Sequence, residues 1–433
     1  MHKYPYGPIA SLMLCGLLLF PAIADPAWDP SGFWTGHLSY RDAELPVRID
    51  IREEAGHWQA SLDIPSLVYA DQSIAMEETD DGSFSLEFPF GIGIISLQPG
   101  GARALHGARE GFALVLGLAE RPRTRTIEIR FGLFEPRLPG TLYLPDGDGP
   151  FPVAVLIAGS GNANRQNWSY ASWVDFYLEK DMGAFIYDRR MENAPLPDGS
   201  IAGIDDHARD VADAIRILKT FDGVDIDRIG VVGSSRGAWI AMAVNDHVAD
   251  LAFILLSSSA AATPAEQEVS SILTGMDQEG LSSKDIAAAR SYLWLYFYVA
   301  QSGKGWELLE SAIEDGAEST WLQYVDQPNA LEDLRWWHAN MGFDAIGRLR
   351  RIKAPVFAIW GGADFITPWT EYREKLVAAL EVAGNSSVVT RVFEKANHRI
   401  EIGFGESADG NWHWFGIAPG ALEEIGKWFE RVL

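Results

Sequence analysis

The sequence predicts an α/β protein: a mainly parallel, doubly wound sheet with a helical insertion, preceded by a small all-β module. Three observations predict it. Apolar residues alternate with period two from residue 25 to about residue 136. Beyond Pro139-Gly140, short apolar runs bounded by turn residues alternate with helical stretches. Between about residues 261 and 349 that rhythm breaks into helix-rich sequence crowded with aromatics. A period of two marks half-buried antiparallel strands, and alternating strand and helix marks βαβ units around a parallel sheet.

The first 24 residues stand apart from both regions. Lys3 gives a weakly basic start, residues 10–20 form an apolar run, and Ala22-Ile23-Ala24 supplies a small-x-small cleavage site before Asp25. That is the pattern of a signal peptide, and the run is too short for a membrane-spanning helix. Export to a periplasm or beyond is the expectation, with no stable membrane insertion. The single cysteine, Cys15, lies in this segment. Leu14 precedes it where a lipoprotein site needs a small residue, so the processed chain carries no disulfide or thiolate nucleophile.

Residues 25–136 are expected to form the all-β module. Leu45-Pro-Val-Arg-Ile-Asp-Ile51, His57-Trp-Gln-Ala-Ser-Leu-Asp-Ile64, Ser83-Phe-Ser-Leu-Glu-Phe88, Phe112-Ala-Leu-Val-Leu-Gly-Leu118 and Arg125-Thr-Ile-Glu-Ile-Arg-Phe131 alternate along their length. Residues 137–433 form the α/β domain. Its expected strands are 153–158, 184–187, 228–232, 251–256, 356–360 and 388–393. Its expected helices are 173–180, 205–221, 238–247, 370–383 and 421–432. The insertion at 261–349 is expected to cap the edge of the sheet.

Composition narrows the function. With 433 residues, 47% hydrophobic and 22% charged, the chain has ample core-forming material. A formal charge of −25 repels phosphate backbones and anionic membranes, which excludes nucleic acid as a partner. Asp205-Asp206-His207 with Asp210 is the nearest approach to a metal-ligand cluster, and it suits the acidic first turn of a helix instead. No metal or other cofactor is expected.

The chemistry is carried by residues placed after strands. Gly233-Ser-Ser235-Arg-Gly237 is a Gly-x-Ser-x-Gly element between an apolar strand and a small-residue helix. Its glycines allow the close approach that a sharp strand-to-helix turn requires, with Ser235 exposed at the turn as nucleophile. A serine hydroxyl needs a base, and the base needs an orienting acid. Asp364 follows the apolar run Val356-Phe-Ala-Ile-Trp360, and His398 follows the next one. In a parallel sheet both emerge on the carboxyl edge beside Ser235. Of the remaining histidines after residue 24, His37, His57 and His106 fall in the β module, His207 and His247 on helices, and His338 in the cap. His413 is the rival base. Oxyanion donors are expected from the amide of Arg236 and from the loop Gly159-Ser160-Gly161, at Ser160 with Gly161 as the alternative.

At Gly-Ser-Gly 159–161, Tyr187-Asp188-Arg189-Arg190, Gly-Ser-Ser-Arg-Gly 233–237, Gly-Gly-Ala-Asp 361–364 and Asn397-His398, the chain resembles the α/β-hydrolase superfamily. Within it, the likeness is to secreted bacterial esterases of the dienelactone-hydrolase and prolyl-oligopeptidase-like branch. The resemblance covers about residues 140–433 and implies the α/β-hydrolase fold, a Ser–His–Asp triad and cofactor-free hydrolysis. Two positions depart from it. Ala158 stands where many relatives carry histidine, and Arg190 stands where glycine often follows Asp-Arg, which is expected to alter the pocket loop.

The expected function is hydrolysis of small to medium, partly apolar carboxylic esters, the aromatic cap selecting the acyl or alcohol group. A peptidase or amidase, a thioesterase, and a non-catalytic binding protein that keeps the fold for its pocket are the alternatives. Processing gives the first prediction: N-terminal sequencing of protein from its native host should begin at or near Asp25, and a retained Met1 in the cytosolic fraction overturns export.

Overall fold

The computed structural model describes residues 28–433 apart from 41–42, 68, 81, 102, 122, 162, 166–167, 192–194 and 405–413. The expected signal peptide and the rival His413 therefore lie outside the described residues.

The N-terminal strands are β1 (Gly32–Tyr40), β2 (Ala43–Glu54), β3 (His57–Ile64), β4 (Tyr69–Ile74), β5 (Met76–Glu78), β6 (Phe84–Phe88), β7 (Gly93–Pro99), β8 (Ala104–Arg109) and β9 (Phe112–Ala119). They pair antiparallel in one sheet of order β4-β3-β2-β1-β9-β8-β7-β6-β5. The sheet curls until β3 nears β5 and β4 nears β6. The period-two pattern decides which side is inside. Along β9, Phe112, Leu114 and Leu116 are buried while Val115 points to solvent.

The second sheet holds β10 (Thr124–Phe131), β11 (Leu138–Pro145), β12 (Phe151–Ile157), β13 (Gly183–Tyr187), β14 (Val224–Ser234), β15 (Ile254–Ser257), β16 (Val356–Gly361) and β17 (Val388–Phe393). Its order is β10-β11-β13-β12-β14-β15-β16-β17, with β10, β11 and β13 joined antiparallel and the rest parallel. Helices α2 (Ile204–Leu218), α3 (Arg236–Val244) and α9 (Trp369–Val382) build the core on one face. Helices α1 (Trp168–Leu178) and α10 (Ala421–Val432) cover the other. A short antiparallel hairpin, β18 (Glu401–Phe404) with β19 (Trp414–Ile417), follows β17.

One expected boundary moves. The strand at 125–131 was assigned by its alternation to the N-terminal module, but β10 pairs with β11 in full register from Thr124–Pro145 to Phe131–Leu138. The expected break after residue 136 thus falls inside a hairpin of the second sheet. Period two reports that a strand has one buried face; it carries no information about which sheet the strand joins.

Between β15 and β16 the chain forms α4 (Pro264–Gln278), α5 (Ser283–Ser302), α6 (Trp306–Asp315), α7 (Arg335–Asn340) and α8 (Ala345–Leu349). The first four share an apolar cluster that includes Tyr292, Tyr296, Phe297, Trp321 and Trp337, whereas α8 packs into the main core. Most of the aromatics that crowd this segment are therefore its own core, and Trp294 and Tyr298 face solvent. Asn340 fastens the insertion to the sheet domain. Its amide oxygen accepts from the Ile204 amide at 2.8 Å, at the start of α2.

Arg190 is buried, with its partners on α2 and on the β10–β11 turn. Its guanidinium donates to both carboxylate oxygens of Asp210, at 2.7 and 3.1 Å, and to the Phe134 and Pro136 carbonyls. It thereby ties the β10–β11 turn to α2. Removing one partner of such a pair leaves a buried, uncompensated charge. Asp210→Ala should cost about 3–5 kcal/mol of stability by urea unfolding; a cost near that of a surface substitution would show that the pair is not what holds the turn.

Candidate active site

Ser235 sits between β14 and α3 with φ 54° and ψ −122°, a left-handed conformation that a non-glycine residue rarely adopts. Close packing holds it there. A Cβ on Gly233 would stand 2.2 Å from the Gly237 carbonyl oxygen, and one on Gly237 would stand 2.2 Å from the Ile157 carbonyl oxygen. Only glycine permits those approaches. The Ser235 amide donates to Ser257 at 2.9 Å, locking the turn to β15. Arg236 is the first residue of α3, so its amide is among those that a helix N-terminus leaves without an intrahelical acceptor.

Asp364 and His398 arrive from the ends of β16 and β17. Asp364 is 4% exposed, and His398 Nδ1 donates to its Oδ2 at 2.8 Å. The Thr367 hydroxyl donates to the same oxygen at 2.6 Å. The amides of Ile366 and Thr367 donate to Oδ1 at 2.9 and 3.0 Å. Burial pushes this carboxyl upward, but His398 and the Thr367 hydroxyl and amide outweigh it and hold Asp364 below the usual carboxylate range.

The His398 turn is fixed from three sides. The buried Ser258 hydroxyl donates to the His398 carbonyl at 2.7 Å. The Asn397 side chain accepts from the Arg399 and Glu401 amides at 2.8 and 3.1 Å, closing the turn onto β18. Gly361 allows β16 to pass beneath it, since a Cβ there would lie 2.1 Å from the Asn397 carbonyl oxygen.

The loop after β12 lies against the serine: a Cβ on Gly159 would be 3.2 Å from the Ser235 Cβ. Arg189 organises this loop by donating to the Ala158 and Gly159 carbonyls at 2.7 and 2.8 Å. Because the peptide group is planar and trans, the Ser160 amide points away from the Gly159 carbonyl and hence away from Arg189. Above the turn, the Arg236 guanidinium stacks 4.2 Å over the Trp336 ring of α7.

The structure thus brings Asp364 and His398 into contact and sets the Ser235 turn and the 159–161 loop side by side. Sequence reasoning missed Thr367, Ser258, Asn397 and Arg189. Thr367 left a signal, because an Asp followed by Thr at the third position is a side-chain-to-backbone turn pattern. Arg189 lies within the Tyr187-Asp188-Arg189-Arg190 motif, which by itself assigns it no role.

With this geometry in place, the family follows. The chain matches the model of the alpha/beta hydrolase family over residues 154–409, and it belongs to that family. Among characterised relatives, the esterase EstD of Thermotoga maritima is 23% identical over 300 residues, covering 68% of this chain and 66% of EstD, just under two thirds of its length. Similar solved structures include an esterase from Pyrococcus furiosus, 16% identical with a TM-score of 0.44, over 72% of this chain and 91% of that one. A putative dienelactone hydrolase from Klebsiella pneumoniae is 12% identical with a TM-score of 0.39, over 64% and 88%.

The Asp364 cluster generates a pH-dependent prediction. A carboxyl depressed on folding contributes stability that is complete above its unfolded value of about 4 and is lost as pH falls through the lower folded value. Thr367→Val removes one donor from that carboxylate and should cost about 1–3 kcal/mol at pH 7. In a urea-unfolding series from pH 7 downward, the gap between variant and parent should close in acid. A gap independent of pH would sever the hydroxyl from the carboxylate's ionisation.

Proposed function

We propose that the protein is a serine esterase of carboxylesterase type. Ser235 attacks the ester carbonyl, His398 takes its proton and returns it to the leaving alcohol, and Asp364 orients the imidazole and stabilises its cation. An acyl-enzyme on Ser235 forms and is hydrolysed by water that His398 activates in turn. The observation that carries the reading is the strained Ser235 turn on the same sheet edge as the hydrogen-bonded Asp364–His398 pair. A serine held at positive φ by flanking glycines and a buried acid bonded to an imidazole are each costly to maintain, and together they suit nucleophilic catalysis.

The oxyanion donors are assigned to the amides of Arg236 and Ser160. Arg236 opens a helix, whose N-terminal dipole favours developing negative charge. Ser160 is preferred to Gly161 because the Arg189 contact with the Gly159 carbonyl turns the Ser160 amide to the other side of the loop. An ester substrate is supported by the relation to EstD, itself described as an esterase. Trp336, stacked on the residue after the nucleophile, supports an apolar acyl or alcohol group. The insertion between β15 and β16 acts as the cap that admits it. The Ala22-Ile23-Ala24 site supports action outside the cytoplasm.

A fluorophosphonate should label Ser235 alone, and the protein should hydrolyse p-nitrophenyl acyl esters in preference to matched amides and thioesters. Ser235→Ala should lower kcat by about 10⁴-fold or more with an unchanged melting temperature. Substantial turnover in that variant, or labelling elsewhere, rejects the mechanism.

A further inference from the structure

The N-terminal sheet grips the segment that bears the proposed base. Trp414, the first residue of β19, is 2% exposed and belongs to the apolar cluster of the N-terminal sheet, not to that of its own domain. Its indole meets Phe404 across the hairpin at 5.7 Å, and Phe112 and Tyr40 of the N-terminal sheet at 6.1 and 6.3 Å. Tyr40 and Phe112 are themselves stacked at 4.3 Å, forming a prepared aromatic platform. The 3-10 turn Pro65–Leu67 packs on β19 beside it.

The route from this contact to the imidazole is short and rigid. β18 begins at Glu401, three residues after His398. The Asn397 amide donates to the Glu401 carbonyl at 2.8 Å, and the Asn397 side chain accepts from the Glu401 amide. β18 then pairs with β19 from Glu401–Ile417 to Phe404–Trp414. The Ala418 amide donates to Ile400 at 2.8 Å, closing the far side. Displacing Trp414 therefore moves a hydrogen-bonded unit that includes the His398 turn. A second contact joins the N-terminal sheet to the α/β domain. Arg48 of β2 pairs with Asp175 at 2.9 Å and with Glu179, on and just beyond α1, the helix that follows the 159–161 loop. Ser235, by contrast, is held within the sheet domain by β14, α3 and β15.

We propose that Trp414 is a positioning residue: docked in the N-terminal sheet, it holds the β18–β19 hairpin so that His398 stays on Asp364. The N-terminal module is then part of the catalytic apparatus and not an appendage. This rests on the reading of His398 as the base.

The test compares Trp414→Ala, Trp414→Phe, Arg48→Gln and His398→Ala in the full chain, using p-nitrophenyl butyrate and a thermal melt. Misplacing the imidazole should lower kcat of Trp414→Ala about ten- to a hundredfold while KM stays within about twofold of the parent, since the substrate-facing groups are untouched. Trp414→Phe should restore most of kcat, and Arg48→Gln should show a smaller loss. A folded Trp414→Ala with parent kcat overturns the proposal. So does a kcat loss that matches a reduced folded fraction. If Trp414→Ala does not fold, Phe112→Leu, which thins the aromatic platform under the indole, is read in its place, and a folded Phe112→Leu with parent kcat overturns the proposal. Activity retained by His398→Ala rejects the base assignment, whereas parent behaviour of Trp414→Ala beside an inactive His398→Ala rejects only the positioning role.

Discussion

The constraint on which the site depends is the approach of α3 to β14 and β12 at Gly233 and Gly237. There backbone meets backbone at distances that leave no room for a Cβ. Holding Ser235 at positive φ costs about 1–3 kcal/mol, which the surroundings must offset. They do so through burial. Every residue of α3 from Gly237 to Val244 is buried, and the Trp239 indole donates to the Ala260 carbonyl at 2.8 Å. The strain cannot relax by moving the helix, because the helix is the middle of the main core. Ser235 is consequently aimed by backbone packing together with its amide hydrogen bond to Ser257.

The histidine is placed by the opposite strategy. Its turn lies beyond β17, an edge strand with partly exposed residues, so no deep core encloses it. Hydrogen bonds from Ser258, Asn397 and Asp364 substitute for that core, and the hairpin beyond it leans on a separate sheet. A serine turn fixed by the centre of the fold and a histidine turn fixed by its periphery should differ in how they respond to distant change. Core mutations act on the first mainly through global stability. Changes in the N-terminal module act on the second locally.

This division also explains what the sequence disclosed. Period two revealed β2, β3, β6 and β9 of the N-terminal sheet, whose runs alternate cleanly, while β1, β4, β5, β7 and β8 were not read from it. The strand–helix rhythm located β12 to β17, whose apolar runs, the edge strand β17 apart, are largely buried on both faces. The residues Ser235, Asp364 and His398 stood out because each follows such a run. What stayed hidden depends on pairing across long separations. β10 alternates like a module strand yet pairs in the second sheet. Trp414 sits in a short, weakly apolar segment after the last long strand, and its partners Phe112 and Tyr40 lie 302 and 374 residues earlier. Ser258 has nothing in its neighbourhood to mark it, since its acceptor is a backbone carbonyl 140 residues away. The aromatics of the insertion misled in the other direction. They suggested a pocket lining, but Tyr292, Tyr296, Phe297 and Trp321 are the core that four amphipathic helices need.

Two histidines in different surroundings complete the assignment. His207 is 3% exposed on α2, and burial, with Arg189, Arg236 and Arg190 nearby, pushes it down to about 3. It is neutral throughout the range in which an esterase operates, and any proton it accepted would be repelled by three guanidiniums. A base that must become a cation in the transition state cannot work there. The same guanidiniums serve the site in other ways: Arg189 shapes the 159–161 loop, Arg190 ties α2 to the β10–β11 turn, and Arg236 meets the cap. His398 instead faces a buried carboxylate, the one kind of neighbour that stabilises an imidazolium as it forms. His207, on a helix and among three guanidiniums, lacks such a neighbour.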